Sequence, residues 1–198
     1  MKILLNGRRG KVGAAITPAL EAAGHKLVDS LDGADAMVDF TRPDAVVENL
    51  RAADAAGVPC VVGTTGWNPA EMKDAGVAIF YAPNFAIGAV LMMRFAAEAA
   101  RRLDRAEIIE LHHSTKRDAP SGTAKLTAER MGGVVPIHSV RLPGLLAHQE
   151  VMLGGPGEVL TIRHDATSRA VYATGVLLAL EKLSELPPGV TIGLDALL

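Results

Sequence analysis

The chain has 198 residues, 49 % of them hydrophobic and 21 % charged, with a formal net charge of −2 at pH 7. This is ordinary soluble globular composition, long enough for one large domain or two small ones. The near-neutral balance excludes the footprint of a nucleic-acid binder, so an acidic ligand must be met by a local cluster of positive groups.

The first apolar run, Ile3-Leu4-Leu5, stops at Asn6 and is followed by Arg8 and Arg9, unlike a secretory signal. No uninterrupted apolar segment approaches the length of a bilayer span; the run beginning Ala86-Ile87-Gly88 is cut by Arg94. The single cysteine, Cys60, lies in Val58-Pro59-Cys60-Val61-Val62 and reads as a small buried hydrophobe rather than a nucleophile. These features lead us to expect a cytoplasmic protein with no membrane partner.

In chain order, Lys2–Leu5, Lys26–Val28, Ala36–Phe40, Cys60–Val62 and Val77–Tyr81 are short apolar runs bounded by turn residues and read as strands. Between the first two, Val12, Ile16, Ala19, Leu20 and Ala23 recur at helical spacing, with Gly24 where a C-terminal cap would sit. Pro43 is placed to open the next helix, from Asp44 to Ala56 before Gly57. This alternation predicts an α/β, Rossmann-like nucleotide-binding domain with a parallel sheet. A long apolar helix, Ile87 to Leu103, then leads into a strand at Glu107–Leu111 and a short helix at Thr123–Met131. The runs Ile137–Leu142, Gln149–Leu153 and Glu158–His164 follow without helices between them, predicting an α+β domain with an open, largely antiparallel sheet. Ala170–Leu183 reads as a helix and Val190–Leu194 as a strand returning to the first domain. The expected division is a dinucleotide-binding domain of residues 1–85 and 170–198 around a substrate-binding and oligomerisation domain of residues 86–169.

The first strand runs into Gly7-Arg8-Arg9-Gly10-Lys11-Val12-Gly13, and glycines at such a junction let the backbone approach a pyrophosphate drawn to the helix N-terminus. The spacing is G-x-x-G-x-x-G, with Arg9 where the usual middle glycine stands; a plain tight turn would explain it equally well, but its place directly after the first strand favours a nucleotide. Pro18 falls inside the expected helix and predicts a kink or early break there. An acid after the second strand commonly holds adenosine ribose hydroxyls, and both Asp29 and Asp32 are candidates. The next strand must start back at the opposite sheet edge: from Asp32 the chain reaches at most ~14 Å, from Asp29 roughly 24 Å, which favours Asp29.

The run Glu110-Leu111-His112-His113-Ser114-Thr115-Lys116-Arg117-Asp118-Ala119-Pro120-Ser121-Gly122-Thr123-Ala124 concentrates chemistry. Two histidines and a lysine stand at a strand exit, and Pro-Ser-Gly-Thr opens a helix whose free N–H groups suit a carboxylate. Lys116 and a protonated histidine add positive charge, and a histidine can deliver a proton near neutral pH. Adjacent strand histidines point to opposite faces, and no Cys or carboxylate stands at ligand spacing beside them, so no metal is expected. Ser121 is not on a nucleophile elbow.

The run from Glu110 to Ala124 resembles the signature of the dihydrodipicolinate reductase family. Further stretches are similar to family motifs, in the family's order: Val38-Asp39-Phe40-Thr41-Arg42-Pro43, Gly63-Thr64-Thr65-Gly66 and Ala82-Pro83-Asn84-Phe85-Ala86-Ile87-Gly88. So are Val140-Arg141-Leu142-Pro143-Gly144, Ala147-His148-Gln149-Glu150 and Ile162-Arg163-His164-Asp165. The resemblance implies reduction of 4-hydroxy-tetrahydrodipicolinate to tetrahydrodipicolinate with NADH or NADPH, in lysine biosynthesis through diaminopimelate. It implies His112 as general acid with Lys116 as its positive partner, and His113, Gly122 and Thr123 on the carboxylates of a small dicarboxylic substrate. The loop Gly7, Arg9, Gly10, Lys11 and Val12 would cradle the cofactor, with Gly63, Thr64, Thr65, Ala82, Pro83, Asn84 and Phe85 near the nicotinamide. It also implies a homotetramer built through the substrate-domain sheet. By family register the acid after the second strand is Asp32, against the geometric preference for Asp29. The chain is shorter than the family pattern after that strand and between Thr123 and Val140. One alternative stays within enzymes, a nicotinamide-dependent reductase of another small dicarboxylic or imino acid. The other is of a different class, a cofactor-binding module that senses nicotinamide redox state without catalysis, which would not need His112, His113 and Lys116 together.

Overall fold

The computed structural model describes residues 1–198, divided between two compact units, Met1–Ile87 with Arg169–Leu198 and Gly88–Ser168. The first unit holds a six-stranded parallel sheet, ordered β10-β5-β4-β3-β1-β2. Its strands are β1 (Lys2–Asn6), β2 (Lys26–Val28), β3 (Ala36–Asp39), β4 (Cys60–Val62), β5 (Ala78–Tyr81) and β10 (Gly189–Ile192). Every residue of β3 and β4 is buried, as expected for central strands covered on both faces. On one face Met37, Cys60, Val62 and Ile79 pack with Val46, Leu50 and Ala53 of helix α2 (Val46–Ala55). The alternate residues Val38, Val61 and Phe80 are buried on the other. Helix α1 (Lys11–Ala22) buries Gly13, Ile16 and Leu20 along one stripe and packs against α5 (Val171–Lys182).

Three local expectations are corrected. The helix α1 is not broken at Pro18: its buried Ile16 and Leu20 straddle the proline, and that packing outweighs the hydrogen bond lost. The helix α2 starts at Val46, not Asp44. The N–H groups of Ala45 and Val46 both donate to the Arg42 carbonyl, so Pro43 sits in a turn before the helix. The long apolar helix, α3 (Ile87–Ala99), stops short of Leu103: Arg102 and Leu103 fold back on the Ala99 carbonyl in a closing turn.

The second unit holds a four-stranded sheet ordered β7-β6-β8-β9, made of β6 (Arg105–His112), β7 (Ile137–Arg141), β8 (Ala147–Gly155) and β9 (Glu158–Ala166). The β6–β8 and β8–β9 pairings are antiparallel and β6–β7 is parallel. Helix α4 (Gly122–Arg130) lies between β6 and β7 in sequence. One row across all four strands runs Ser139, Glu110, Gln149 and His164, so these side chains share a face. No helix of the chain is long and apolar enough to cross a membrane.

Candidate active site

The carboxyl ends of a parallel sheet are where such folds bind ligands, and in the first unit the expected cofactor residues gather there. Gly7 follows β1 at φ 80°, and a Cβ on it would sit 2.3 Å from the Phe40 carbonyl oxygen. Gly13 packs tighter still, its Cβ position 2.2 Å from the Gly7 oxygen. Gly10 donates its N–H to that oxygen at 2.8 Å and caps α1 without a side chain, leaving the helix start open. The first turn of α1 holds no acid. Arg8 pairs with Glu21 at 3.4 Å, whereas Arg9 and Lys11 are exposed without an ion-pair partner. A side chain at Gly7 or Gly13 would force apart the backbone that forms this turn, and the open helix start with two unpaired cations suits a phosphate; the residues fit a dinucleotide.

Asp29 directly follows β2, one step beyond the Leu4–Val28 register pair, at the sheet edge to which Gly7 belongs. Asp32 lies three residues along a return with no helix of its own, which reaches the other edge at Asp35, whose carboxylate accepts from the Lys2 N–H at 2.6 Å. Both Asp29 and Asp32 are exposed.

At the ends of β3 and β4 a buried carboxylate organises the loops. Asp39 Oδ1 accepts from the Thr41 N–H at 3.0 Å, the Thr41 hydroxyl at 2.7 Å and the Thr64 hydroxyl at 2.6 Å, and its Oδ2 accepts from Asn49 at 2.8 Å. A Cβ on Gly63 would lie 2.0 Å from Cε1 of the Phe40 ring, so a side chain at 63 would displace that ring from where it packs. Thr64 is buried and Thr65 exposed. Ala82 and Phe85, after β5, are buried, Pro83 is exposed, and Asn84 Oδ1 accepts from the Ala86 N–H at 2.9 Å. Phe85 meets Phe40 edge to face at a centroid distance of 5.8 Å.

In the second unit, strand alternation puts Glu110 and His112 on one face, and His112 Nδ1 lies 2.5 Å from Glu110 Oε2. Glu110 is wholly buried. Burial pushes its pKa up, but hydrogen bonds from Arg141, Ser139 and His112 outweigh that and hold it at about 2. An ionised carboxylate only accepts, so His112 Nδ1 carries a proton and Nε2 is the nitrogen that gains or loses one. Burial lowers the His112 pKa below its ordinary value; Glu110 opposes this, and the charges of Lys116 and Arg141 reinforce it.

Lys116 does not stand free. Its Nζ donates to both Asp118 oxygens, at 2.7 and 2.8 Å, which draws the Asp118 pKa down. His113 Nδ1 shares a 2.8 Å hydrogen bond with the Thr115 hydroxyl. Ser121 caps α4, its Oγ accepting from the Ala124 N–H at 3.2 Å, so Gly122 and Thr123 form the first turn. That turn carries no acidic residue.

Three residues of this assembly were not expected from the sequence: Glu110, Ser139 and Arg141. The i, i+2 spacing of Glu110 and His112 on a strand was a usable signal for the first. Nothing local points to the others, which arrive through the β6–β7 register, Glu110 opposite Ser139 and His112 opposite Arg141. No group of three or more His, Cys, Asp or Glu comes together as a metal site would need.

Comparison with known proteins agrees with this layout over the whole chain. Family models described as dihydrodipicolinate reductase, N-terminus and C-terminus match residues 23–85 and 88–198. The 4-hydroxy-tetrahydrodipicolinate reductase of Mycolicibacterium smegmatis is 43% identical over 243 residues, covering 100% of this chain and 99% of that protein. The protein so named in Desulfitobacterium hafniense is 47% identical over 216 residues, 93% of this chain and 79% of that one. Since 198 residues align over 243 positions, relatives carry segments this chain lacks. The helix-free return from β2 to β3 is one place where so compact a chain is seen. A solved structure, dipicolinate-bound dihydrodipicolinate reductase from Paenisporosarcina sp. TG-14, has a TM-score of 0.84 and 30% identity, over 100% of this chain and 99% of that one. Family models matching along both units and relatives at 43–47% identity lead to one assignment: the chain belongs to the dihydrodipicolinate reductase family.

Proposed function

We propose that this protein reduces 4-hydroxy-tetrahydrodipicolinate to tetrahydrodipicolinate, with loss of water, in the diaminopimelate route to lysine. The observation that carries the reading is His112, held by a buried ionised carboxylate at the exit of β6, with a lysine and a helix start in the same short segment. His112 donates a proton from Nε2. Lys116, the His113 ring and the N-terminal turn at Gly122 and Thr123 hold the substrate carboxylates. A bound reduced nicotinamide supplies the hydride. Gly7, Arg9, Gly10, Lys11 and Val12 hold the cofactor's phosphates, and Asp29, at the sheet edge, holds the ribose in preference to Asp32. Gly63, Thr64, Thr65 and Ala82–Phe85 face the nicotinamide end. Residues 1–85 and 170–198 thus serve the cofactor and residues 86–169 the substrate. The protein works in the cytoplasm as a homotetramer assembled through the four-stranded sheet, whose face opposite Glu110 carries the half-buried Ile109, Leu111 and Met152.

Lys116→Ala is expected to lower kcat/KM by roughly one to two orders of magnitude, the loss of a charge-assisted contact worth ~1.5–3 kcal/mol. The dipicolinate-bound relative supplies the probe. Pyridine-2,6-dicarboxylate should compete with substrate in the wild type and bind at least tenfold more weakly to the variant, about 1.4 kcal/mol. Calorimetry with cofactor present that detects no binding at millimolar concentration would remove the dicarboxylate assignment.

We further propose that both NADH and NADPH serve, with efficiencies within about tenfold. Asp29 favours free ribose hydroxyls, while Arg9 and Lys11, exposed and unpaired, can neutralise a 2′-phosphate. The double variant Arg9→Ala with Lys11→Ala should lose NADPH-dependent activity first. Equal loss with both cofactors would assign these side chains to the shared pyrophosphate and end the dual-use argument.

A further inference from the structure

Resting on the reading of His112 as proton donor, we propose that the buried Glu110–Arg141 pair is a positioning device serving both halves of the substrate site at once. It holds His112 with Nε2 outward, and it pins the helix start that faces the substrate carboxylates.

The geometry is that of a hub. Glu110 Oε2 is 2.5 Å from His112 Nδ1 and accepts from Arg141 Nη1 at 2.9 Å. Its Oε1 accepts from Arg141 Nη2 at 2.6 Å, the Ser139 hydroxyl at 2.6 Å and the Ser121 N–H at 3.2 Å. The Ser121 contact ties the cap of α4 to β6. Arg141 also donates to the Asp118 carbonyl at 2.8 Å, anchoring the loop that carries Lys116. One carboxylate–guanidinium pair therefore touches β6, β7, the Lys116 loop and the N-cap residue of α4. A two-pronged guanidinium fixes the carboxylate plane in a way a lysine would not.

The consequence for His112 follows from donor and acceptor roles. With Glu110 ionised, the neutral imidazole is protonated on Nδ1 and the cation presents Nε2–H outward. In Glu110→Gln the amide oxygen stays with Arg141, and the NH2 group faces Nδ1 as a donor. The neutral ring must then move its proton to Nε2. The charged groups around His112 are Glu110 beside it, Arg141 from β7 and Lys116 from the loop. Without the Glu110 charge the ring faces two cations, and its protonated form is lost at lower pH.

Two measurements test this. First, nitrogen-15 NMR of the wild-type holoenzyme above the His112 pKa should show the Nδ1–H tautomer; an Nε2–H form or an even mixture overturns the proposal without any variant. Second, kcat/KM of the wild type should fall as pH rises through the His112 pKa. In Glu110→Gln that fall should move acidward by about one unit or more, with about a hundredfold loss at neutral pH and a raised substrate KM. Arg141→Lys should recover part of the KM loss seen in Arg141→Met. Lower activity with an unmoved pH limb would mean that Glu110 only supports the fold, and the proposal fails. If His112→Gln itself stays active, the proton-donor reading fails first; if it is inactive while tautomer and limb disagree with expectation, only the positioning role fails.

Discussion

Replacing His112 with Gln is expected to lower turnover by roughly two to four orders of magnitude, or about 3–5 kcal/mol of barrier, with cofactor affinity little changed. Glutamine keeps approximate volume and polarity but cannot deliver a proton, so the loss isolates acid catalysis from binding. The pH profile provides a second signature. A proton donor must be charged to act, so wild-type activity falls as pH rises through the His112 pKa. That pKa is drawn down by burial and by Lys116 and Arg141 against the pull of Glu110. In the variant this limb should vanish. Because His112 is not among the residues read as holding the cofactor, nucleotide titrations should be close to wild type. Near wild-type turnover at neutral pH would take the acid role from His112.

Gly13→Ala should cost about 3 kcal/mol of stability, at the upper end for overpacking, and should weaken cofactor binding with it. The added Cβ would lie 2.2 Å from the Gly7 carbonyl oxygen and 2.8 Å from Arg8 Cα. Both are backbone atoms, so no rotamer change relieves the contact; α1 must shift away from the loop or the loop must open. A melting temperature lower by on the order of 10 °C is expected, together with a weaker NADH fluorescence titration. Gly10→Ala is the control for melting alone: its Cβ would stand 3.1 Å from the Gly7 oxygen, which needs only a few tenths of an ångström of adjustment. A Gly13→Ala protein with wild-type melting and wild-type titration would show that close packing of helix and loop is not what this position supplies.

Several elements were legible because their causes are local. The strands β2 and β4 fall on Lys26–Val28 and Cys60–Val62, short apolar runs closed off by turn residues. The helix α1 follows from the Ile16–Leu20 stripe and ends before Gly24, which takes φ 80° where other residues are strained. The contiguous motif from Glu110 to Ala124 carried His112, Lys116 and the α4 cap together, because strand, loop and helix start are adjacent in the chain. Local rules misjudged Pro18 and the start of α2, where the burial of Ile16 and Leu20 and a turn onto the Arg42 carbonyl prevailed.

The electrostatic centre of the site was beyond such rules. Glu110 and Asp39 read as ordinary strand acids until Arg141 and Ser139 arrive from β7 at the first, and Thr64 and Asn49 close on the second. Amino-acid order by itself determined which groups could give or accept a proton and which stretches would wind or extend, since both depend on near neighbours. Only the tertiary structure decided which of those groups meet. The parallel β6–β7 register brings Arg141 opposite His112 across a long connection, and a buried carboxylate stays charged only where several donors converge on it at once.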